Sequence, residues 1–131
     1  MASIFTKIIN RDIPGHIVAE DDNFIAFLDI NPLKEGHTLV VPKTEVDYVF
    51  DLDHQTLAGL FSFSKRVAKA IKAVVECERI GVSVIGIEVP HAHVHLIPID
   101  HVDDMNFSNM KSSFSKEEME QMATKIKENF S

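Results

Sequence analysis

Apolar and polar positions recur along this chain with the periods of strands and helices. Apolar steps of three and four predict a short helix within residues 4–13, a long helix that begins after Asp53, and a last helix after Ser115. Short apolar runs predict five strands, at Ile17–Ala19, Phe24–Leu28, Thr38–Val41, Val82–Ile85 and His91–Ile97. We therefore expect an α+β fold. In it, a five-stranded antiparallel sheet has one long helix inserted between strands 3 and 4 and carries a helix near each end of the chain.

The two longer predicted helices each carry one apolar stripe. In the long helix it comprises Leu57, Leu60, Phe61, Val67, Ala68, Ile71, Val74 and Val75, and we expect it to lie against the sheet. In the last helix it comprises Met119, Met122, Ala123, Ile126 and Phe130. The second stripe needs burial, either on its own domain or on a partner subunit.

Three histidines, His91, His93 and His95, alternate with apolar residues within the predicted fifth strand. Successive side chains of a strand point to opposite faces, so the histidines share one face and the apolar residues pack on the other. This histidine face could be solvated, bind a metal ion, or hold a nucleophilic histidine between two helpers. Residues i and i+4 of a strand lie about 13 Å apart, so one ion would reach two of the histidines more easily than all three.

Two separated motifs of this chain resemble those of the histidine-triad (HIT) superfamily of nucleotide hydrolases and transferases. The first is the His-x-His-x-His run with Pro90 before it and Ile97-Pro98 after it. The second comprises Phe27–Pro32 and Gly36–Lys43, which are similar to the first half of that family. The resemblance covers about residues 4–98 and is strongest to the purine nucleoside phosphoramidase type. It implies that residues 1–131 form a single HIT-like domain.

The resemblance implies a mechanism for the histidines. In HIT enzymes the middle histidine, here His93, attacks the α-phosphorus of a nucleotide, and water then hydrolyses the nucleotidyl-histidine. His95 would donate to a non-bridging phosphate oxygen. His91 and His37 would orient the nucleophile and relay or donate a proton to the leaving group. No metal or other cofactor is required.

The resemblance also implies a nucleotide-binding site. Asp29 matches a carboxylate that accepts hydrogen bonds from the ribose hydroxyls. The residues that match the walls around the nucleobase are Phe5, Ile8, Phe27 and Ile30.

The loop before the histidines departs from the family pattern. Many members have a glycine-rich loop with Asn and Ser or Thr side chains that bind phosphate, whereas here the loop is shortened to Gly86–Pro90. Glu88 falls near a position that is usually neutral and polar, and a carboxylate repels phosphate unless it is protonated or paired. Ile99 stands where many members have an arginine. We place Glu88 among the nucleotide-binding residues and expect it either to turn away or to act as an acid.

A second departure concerns zinc. The zinc-binding members of the family carry Cys-x-x-Cys near the start and a histidine soon after the Val-Pro-Lys strand. This chain has Ser3, Thr6 and Glu45 at those places. We therefore expect no structural zinc.

Composition limits the function classes. The formal net charge of −7 over 131 residues argues against a general nucleic-acid binder, so an anionic ligand must be held by local N–H groups and histidines. Cys77 is the only cysteine, which excludes an internal disulfide and fits a reducing compartment. With no long apolar run and no signal-peptide pattern, we expect a cytoplasmic protein.

The resemblance implies a homodimeric hydrolase, and the composition adds the expectation that it is cytoplasmic. Its substrate would be a purine nucleoside monophosphate joined to a leaving group, as in a phosphoramidate or an adenylate. Few basic residues lie near the motif, which favours a small leaving group of low charge. The alternatives are a dinucleoside polyphosphate hydrolase, a nucleotide-binding or interaction protein with little turnover, and a metal-binding protein.

Overall fold

The computed structural model describes residues 2–131, which form one five-stranded sheet, three α-helices and two short 3-10 turns. The helices are α1 (Ile4–Ile9), α2 (His54–Val74) and α3 (Lys116–Asn129). The strands are β1 (Ile17–Glu20), β2 (Phe24–Leu28), β3 (Thr38–Pro42), β4 (Arg79–Ser83) and β5 (Val94–Ile99). The 3-10 turns are Val49–Asp51 and Val102–Met105. None of these helices is both long and apolar enough to cross a membrane.

The sheet has the strand order β1-β2-β3-β5-β4, and every neighbouring pair is antiparallel. This confirms the predicted α+β architecture with the long helix between the third and fourth strands. Two predicted boundaries are wrong. The fourth strand begins at Arg79 rather than Val82, because Arg79 pairs with Ile99. The hydrogen-bonded part of the fifth strand begins only at Val94, so His91 and His93 precede it.

The alternation of side chains nevertheless extends through the residues before β5. Ala92, Val94 and Leu96 are buried in the cluster that joins the sheet to α2 and α3. The ring of His93 lies on the other face, where its centroid is 4.9 Å from that of Phe5 in α1. The sequence pattern therefore separates Ala92 and His93 onto the two faces correctly, although both precede the paired part of the strand.

Helix α3 buries its apolar stripe on its own domain. Ile126 has 0% of its surface exposed and Ala123 is also buried, while Met119, Met122 and Phe130 pack against the same cluster. The predicted start of the helix is confirmed by a capping box, in which the Ser115 hydroxyl accepts from the Glu118 N–H at 3.1 Å and the Glu118 carboxylate accepts from the Ser115 N–H at 2.8 Å. Of the two alternatives for this stripe, burial within the chain is the one observed.

We predict that Ile126→Ala lowers the free energy of unfolding by about 2–5 kcal/mol, because it leaves a cavity between α3 and the sheet. Urea denaturation followed by circular dichroism measures this loss. Lys127→Ala, on the exposed side of the same helix turn, is the matched control and should change stability by less than about 0.5 kcal/mol. Equal effects of the two substitutions would show that α3 is not integral to the core.

Candidate active site

Four histidines converge on the face of the sheet that carries α1. His37 directly precedes β3, and β3 pairs with β5 so that Leu39 lies opposite His95. This register brings His37 Nε2 to 3.0 Å from His95 Nδ1. The ring centroids of His93 and His95 are 4.9 Å apart. His37, predicted from a motif about fifty residues away, therefore contacts the triad directly.

Backbone contacts fix the protons of His37 and His95. The Leu33 N–H donates to His37 Nδ1 at 3.0 Å, so the single proton of a neutral His37 ring must be on Nε2. That Nε2–H donates to His95 Nδ1, which in turn places the proton of His95 on Nε2. His95 lines a cavity, and its Nε2 has no hydrogen-bond partner among residues 2–131. The hydrogen bonds from Leu33 to His37 and from His37 to His95 therefore leave the Nε2–H of His95 available to donate to a ligand.

Both rings are neutral near pH 7. Burial, together with the charges of neighbouring histidines, lowers the pKa of His37 to about 3 and that of His95 to about 4. Passing a proton from neutral His37 to His95 would leave an imidazolate on His37. The contacts thus favour an orienting role for His37 over the proton relay that the sequence predicts.

His93 has the opposite proton arrangement. Its Nδ1–H donates to the backbone carbonyl of His91 at 2.7 Å, because a carbonyl can only accept. The proton is therefore on Nδ1, and Nε2 carries a free lone pair. His93, with an unprotonated Nε2, and His95, with an Nε2–H, line the same cavity.

The ring of His91 is 0% exposed and does not line that cavity. Its Nε2–H donates to the Pro42 carbonyl at 2.8 Å, and its Nδ1 accepts from the Ser3 hydroxyl, also at 2.8 Å. Burial lowers its pKa, which keeps the ring neutral. These contacts anchor the His91 ring beside its own backbone carbonyl, the group that accepts the hydrogen bond from His93.

The three residues that stand in place of zinc ligands meet beside His91. The Glu45 carboxylate accepts from the Thr6 hydroxyl at 2.6 Å and from the Ser3 N–H at 2.7 Å. These hydrogen bonds, led by that of Thr6, lower the pKa of Glu45 to about 2. Glu45 Oε1 is 3.9 Å from His91 Nδ1. Hydrogen bonds among hydroxyls and a carboxylate thus connect α1 to the histidine motif.

A cavity of about 550 Å³ adjoins His93 and His95. Its lining includes all six residues predicted to bind the nucleotide, namely Phe5, Ile8, Phe27, Asp29, Ile30 and Glu88. Three of these, Phe5, Ile8 and Phe27, are also buried in the core on this face of the sheet, whereas Ile30 is 72% exposed. The apolar wall is therefore held in shape by the packing of the domain.

Asp29 lies beside the histidine pair. Its carboxylate accepts from the Asn31 N–H at 2.8 Å, and Oδ2 is 3.6 Å from His37 Nε2. Burial raises its pKa. Atoms of Asp29, His37 and His95 lie within 4.8 Å of one another, as metal ligands would. However, the Leu33 N–H keeps the proton of His37 on Nε2, the nitrogen that a metal would need, so the donor set fits hydrogen bonding better.

Glu88 is exposed and is among the residues that line the cavity, and it forms no ion pair within residues 2–131. The shortened loop that carries it turns at Gly86, whose φ of +73° favours glycine. A carboxylate is therefore part of the surface that faces a ligand.

Among the lining residues that the sequence does not predict are an aromatic and a cationic side chain beside the histidines. Phe107 and Lys111 lie between the second 3-10 turn and α3, and both line the cavity. The ring centroid of Phe107 is 4.9 Å from that of His95 and 6.3 Å from that of His37. The only sequence signal was one aromatic residue in a polar stretch, outside the part of the chain that resembles the family.

The chain belongs to the histidine-triad family, because the family model described as "HIT domain" matches residues 10–102. A HIT-like protein of Borreliella burgdorferi is 34% identical over 134 residues, with 96% of each chain covered. The Saccharomyces cerevisiae protein named adenosine 5'-monophosphoramidase HNT1 is 38% identical over 98 residues, which cover 74% of this chain and 62% of the yeast protein.

The fold is similar to solved structures of the same family. The crystal structure of a Hit-like protein from Bartonella henselae, described as involved in cell-cycle regulation, superposes with a TM-score of 0.83 at 33% identity. The superposition covers 98% of this chain and 96% of that one. It therefore includes α3 and the segment before it, which lie beyond the family model.

We predict that stability falls as the pH decreases from about 6.5 towards 4. The unfolded chain gains protons on its histidines in this range, whereas burial holds the pKa of His37 and His95 at about 3 and about 4 in the folded protein. Since the unfolded state binds more protons, the free energy of unfolding rises with pH. His37→Gln should flatten this slope by up to about 1.4 kcal/mol per pH unit.

Urea denaturation at several pH values measures the slope, and the control is His54→Gln at the exposed start of α2. An unchanged slope in His37→Gln would contradict the neutral, buried state of that ring. NMR titration of the His37 ring provides a check that does not depend on the stability of the variant.

Proposed function

We propose that this protein is a hydrolase that cleaves at the α-phosphate of a purine nucleoside monophosphate joined to a leaving group by a phosphoramidate or adenylate bond. One observation carries the proposal. His93 and His95 line the same cavity, and their contacts leave an Nε2 lone pair on neutral His93 and an Nε2–H on His95 without a partner among residues 2–131. A substitution at phosphorus requires a nucleophile and a hydrogen-bond donor to the phosphate oxygen on which negative charge develops. The name of the yeast relative, an adenosine 5'-monophosphoramidase, supports this class of substrate.

The reaction proceeds in two substitutions. His93 Nε2 forms a bond to the α-phosphorus, and the bond from phosphorus to the leaving nitrogen or oxygen breaks. The leaving group takes the bonding electron pair and a proton from water. Water then attacks the phosphorus, the bond to His93 breaks, its electron pair returns to Nε2, and the proton of the attacking water goes to solvent. The nucleoside monophosphate is released.

Each neighbouring histidine assists without leaving its neutral state. The His91 carbonyl accepts the Nδ1–H of His93 and stabilises the positive charge that the ring acquires on attack. His95 Nε2–H donates to a non-bridging oxygen, and His37 holds His95 in the required tautomer. Neither step needs a metal ion.

The nucleoside would occupy the apolar part of the cavity. The base lies between Phe5, Ile8, Phe27 and Ile30, and the Asp29 carboxylate accepts from the ribose hydroxyls. This places the α-phosphate between His93 and His95. A cytoplasmic location, where such nucleotides are available, is part of the proposal.

One observation favours a second candidate function. The shortened loop brings the Glu88 carboxylate to the cavity and lacks the Asn and Ser or Thr side chains that bind phosphate in many relatives. A protein that binds nucleotides with little turnover would tolerate such a loop. Single-turnover chemistry separates the two functions.

We predict that wild-type protein incubated in excess over an adenosine phosphoramidate releases AMP and forms an acid-labile adenylyl-protein adduct. His93→Ala should lose both, with the rate reduced at least about a thousandfold, because the covalent nucleophile is gone. Quenched-flow sampling with chromatography of AMP, and mass spectrometry of the adduct, measure the two signals.

His54→Ala, which removes an exposed histidine outside the cavity, is the control and should react at the wild-type rate. AMP binding without AMP release by the wild-type protein would establish the second candidate function. Undiminished release by His93→Ala would refute the assigned nucleophile.

We further propose a homodimer formed through β4. This strand is at the end of the sheet and pairs on only one side within residues 2–131, so its outer backbone groups are open to another strand. Apolar residues on or just after it are exposed, including Val82 at 52% and Ile87 at 86%. HIT proteins commonly form dimers, and a second copy fits an edge of this kind.

We predict that analytical ultracentrifugation of the wild-type chain gives twice the monomer mass and that Val82→Lys shifts it to the monomer, because a charged side chain disfavours pairing at a strand edge. Lys65→Met, on the exposed face of α2, should remain dimeric. A monomeric wild-type protein, or a dimeric Val82→Lys variant, would rule out this interface.

A further inference from the structure

Lys111 is a cationic side chain in the cavity that the mechanism above does not use. It lines the cavity together with His93, His95 and Asp29. Burial raises the pKa of Asp29 and lowers that of His37, and the positive charge of Lys111 acts on both groups. Its ammonium is therefore within electrostatic range of the proposed ribose and phosphate positions.

The segment that carries Lys111 is fixed at both ends of its path over the cavity. At one end, the Phe107 ring packs edge-on against His95 with a centroid distance of 4.9 Å. At the other, the Ser112 N–H donates to the Pro32 carbonyl at 2.8 Å. Lys111 is thus presented by a segment that contacts both the triad and the loop before His37.

The ammonium itself is partly oriented. Lys111 Nζ donates to the carbonyl oxygens of Phe107 at 2.5 Å and Asn109 at 3.1 Å. An ammonium has three N–H donors, so these two contacts leave one for a ligand. No carboxylate forms an ion pair with Lys111 among residues 2–131, so its positive charge is not neutralised by a direct contact.

The site otherwise lacks positive charge. His37 and His95 are neutral, the shortened loop contributes Glu88, and the chain as a whole carries −7. A nucleotide phosphate would meet Asp29 and Glu88 with no compensating cation except one from outside the motif. Lys111 supplies that charge.

We infer that Lys111 is a substrate-binding residue whose ammonium contacts phosphate oxygens of the bound nucleotide. This rests on the proposed function, in that it takes a nucleotide as the ligand of the cavity. Phe107 acts as the positioning residue that keeps the Lys111 turn against His95.

Calorimetric titration tests the inference without relying on turnover. AMP and adenosine are titrated into the wild-type protein, Lys111→Met, Lys111→Arg and Lys65→Met. Both methionine variants change the net charge equally, but Lys65 lies on the exposed face of α2, away from the cavity. We expect Lys111→Met to weaken AMP binding about tenfold, equivalent to about 1.4 kcal/mol, and to leave adenosine binding within about twofold.

Lys111→Arg should retain most of the AMP affinity because it keeps the charge. The AMP affinity of the wild-type protein should also decrease with added salt more steeply than that of Lys111→Met.

Repeating the titration with ADP shows which phosphate group Lys111 contacts. A loss that grows from AMP to ADP places it on the leaving-group side, and an equal loss places it on the α-phosphate.

The outcomes separate this inference from the proposed function. AMP binding in Lys111→Met that equals that of Lys65→Met would overturn the inference, whether or not the wild-type protein hydrolyses a phosphoramidate. Conversely, a wild-type protein that shows Lys111-dependent AMP binding but no AMP release would leave the inference standing and refute the hydrolase. A wild-type protein that binds no AMP would overturn the inference, whereas AMP release from the phosphoramidate would still decide the hydrolase.

Discussion

The candidate site depends on three backbone groups that decide where the histidine protons lie. The Leu33 N–H, the His91 carbonyl and the Pro42 carbonyl each occupy one ring nitrogen. Neutral imidazoles have one proton, so a fixed partner on one nitrogen determines the state of the other. These groups belong to the β3–β5 region and the loops beside it. The pairing of the two strands therefore sets the chemistry of the site as well as its position.

Burial of the histidine rings determines their protonation and couples the geometry of the site to the stability of the fold. It keeps His37, His91 and His95 neutral by lowering their pKa values, which preserves the alternating pattern of donors and lone pairs near pH 7. A charged ring would donate from both nitrogens and oppose the Leu33 N–H. The same packing that shields the histidines also builds the cavity wall, since Phe5 belongs to the core on that face. Stability and site geometry are consequently coupled, and the hydrogen bonds of Glu45 extend that coupling to α1.

The architecture can be predicted well from the sequence because helices and strands leave patterns among residues that are close together in the chain. Periodicity identifies the helices, and alternation assigns the histidines to one face even where no strand ladder exists. The start of β4 at Arg79 was missed because it depends on pairing with Ile99, a contact that no local pattern reports. The proton arrangement was missed for a similar reason, since it depends on where the Leu33 N–H lies relative to His37. Phe107 and Lys111 follow the motif by more than ten residues and reach the cavity only because their segment folds back across it.

The cavity therefore has two parts with different origins. The four histidines and Asp29 lie in the part of the chain that matches the family model, and in the proposed function they act at the α-phosphate. Another part of the cavity lining comes from the short loop with Glu88 and from the segment with Lys111. These two segments carry opposite charges, and in the proposed reaction they would face the leaving group. Function depends on the groups of a site rather than on the fold, and specificity depends on the groups that touch the variable part of the ligand. The choice of leaving group should accordingly follow the charges of these two segments rather than the histidine triad.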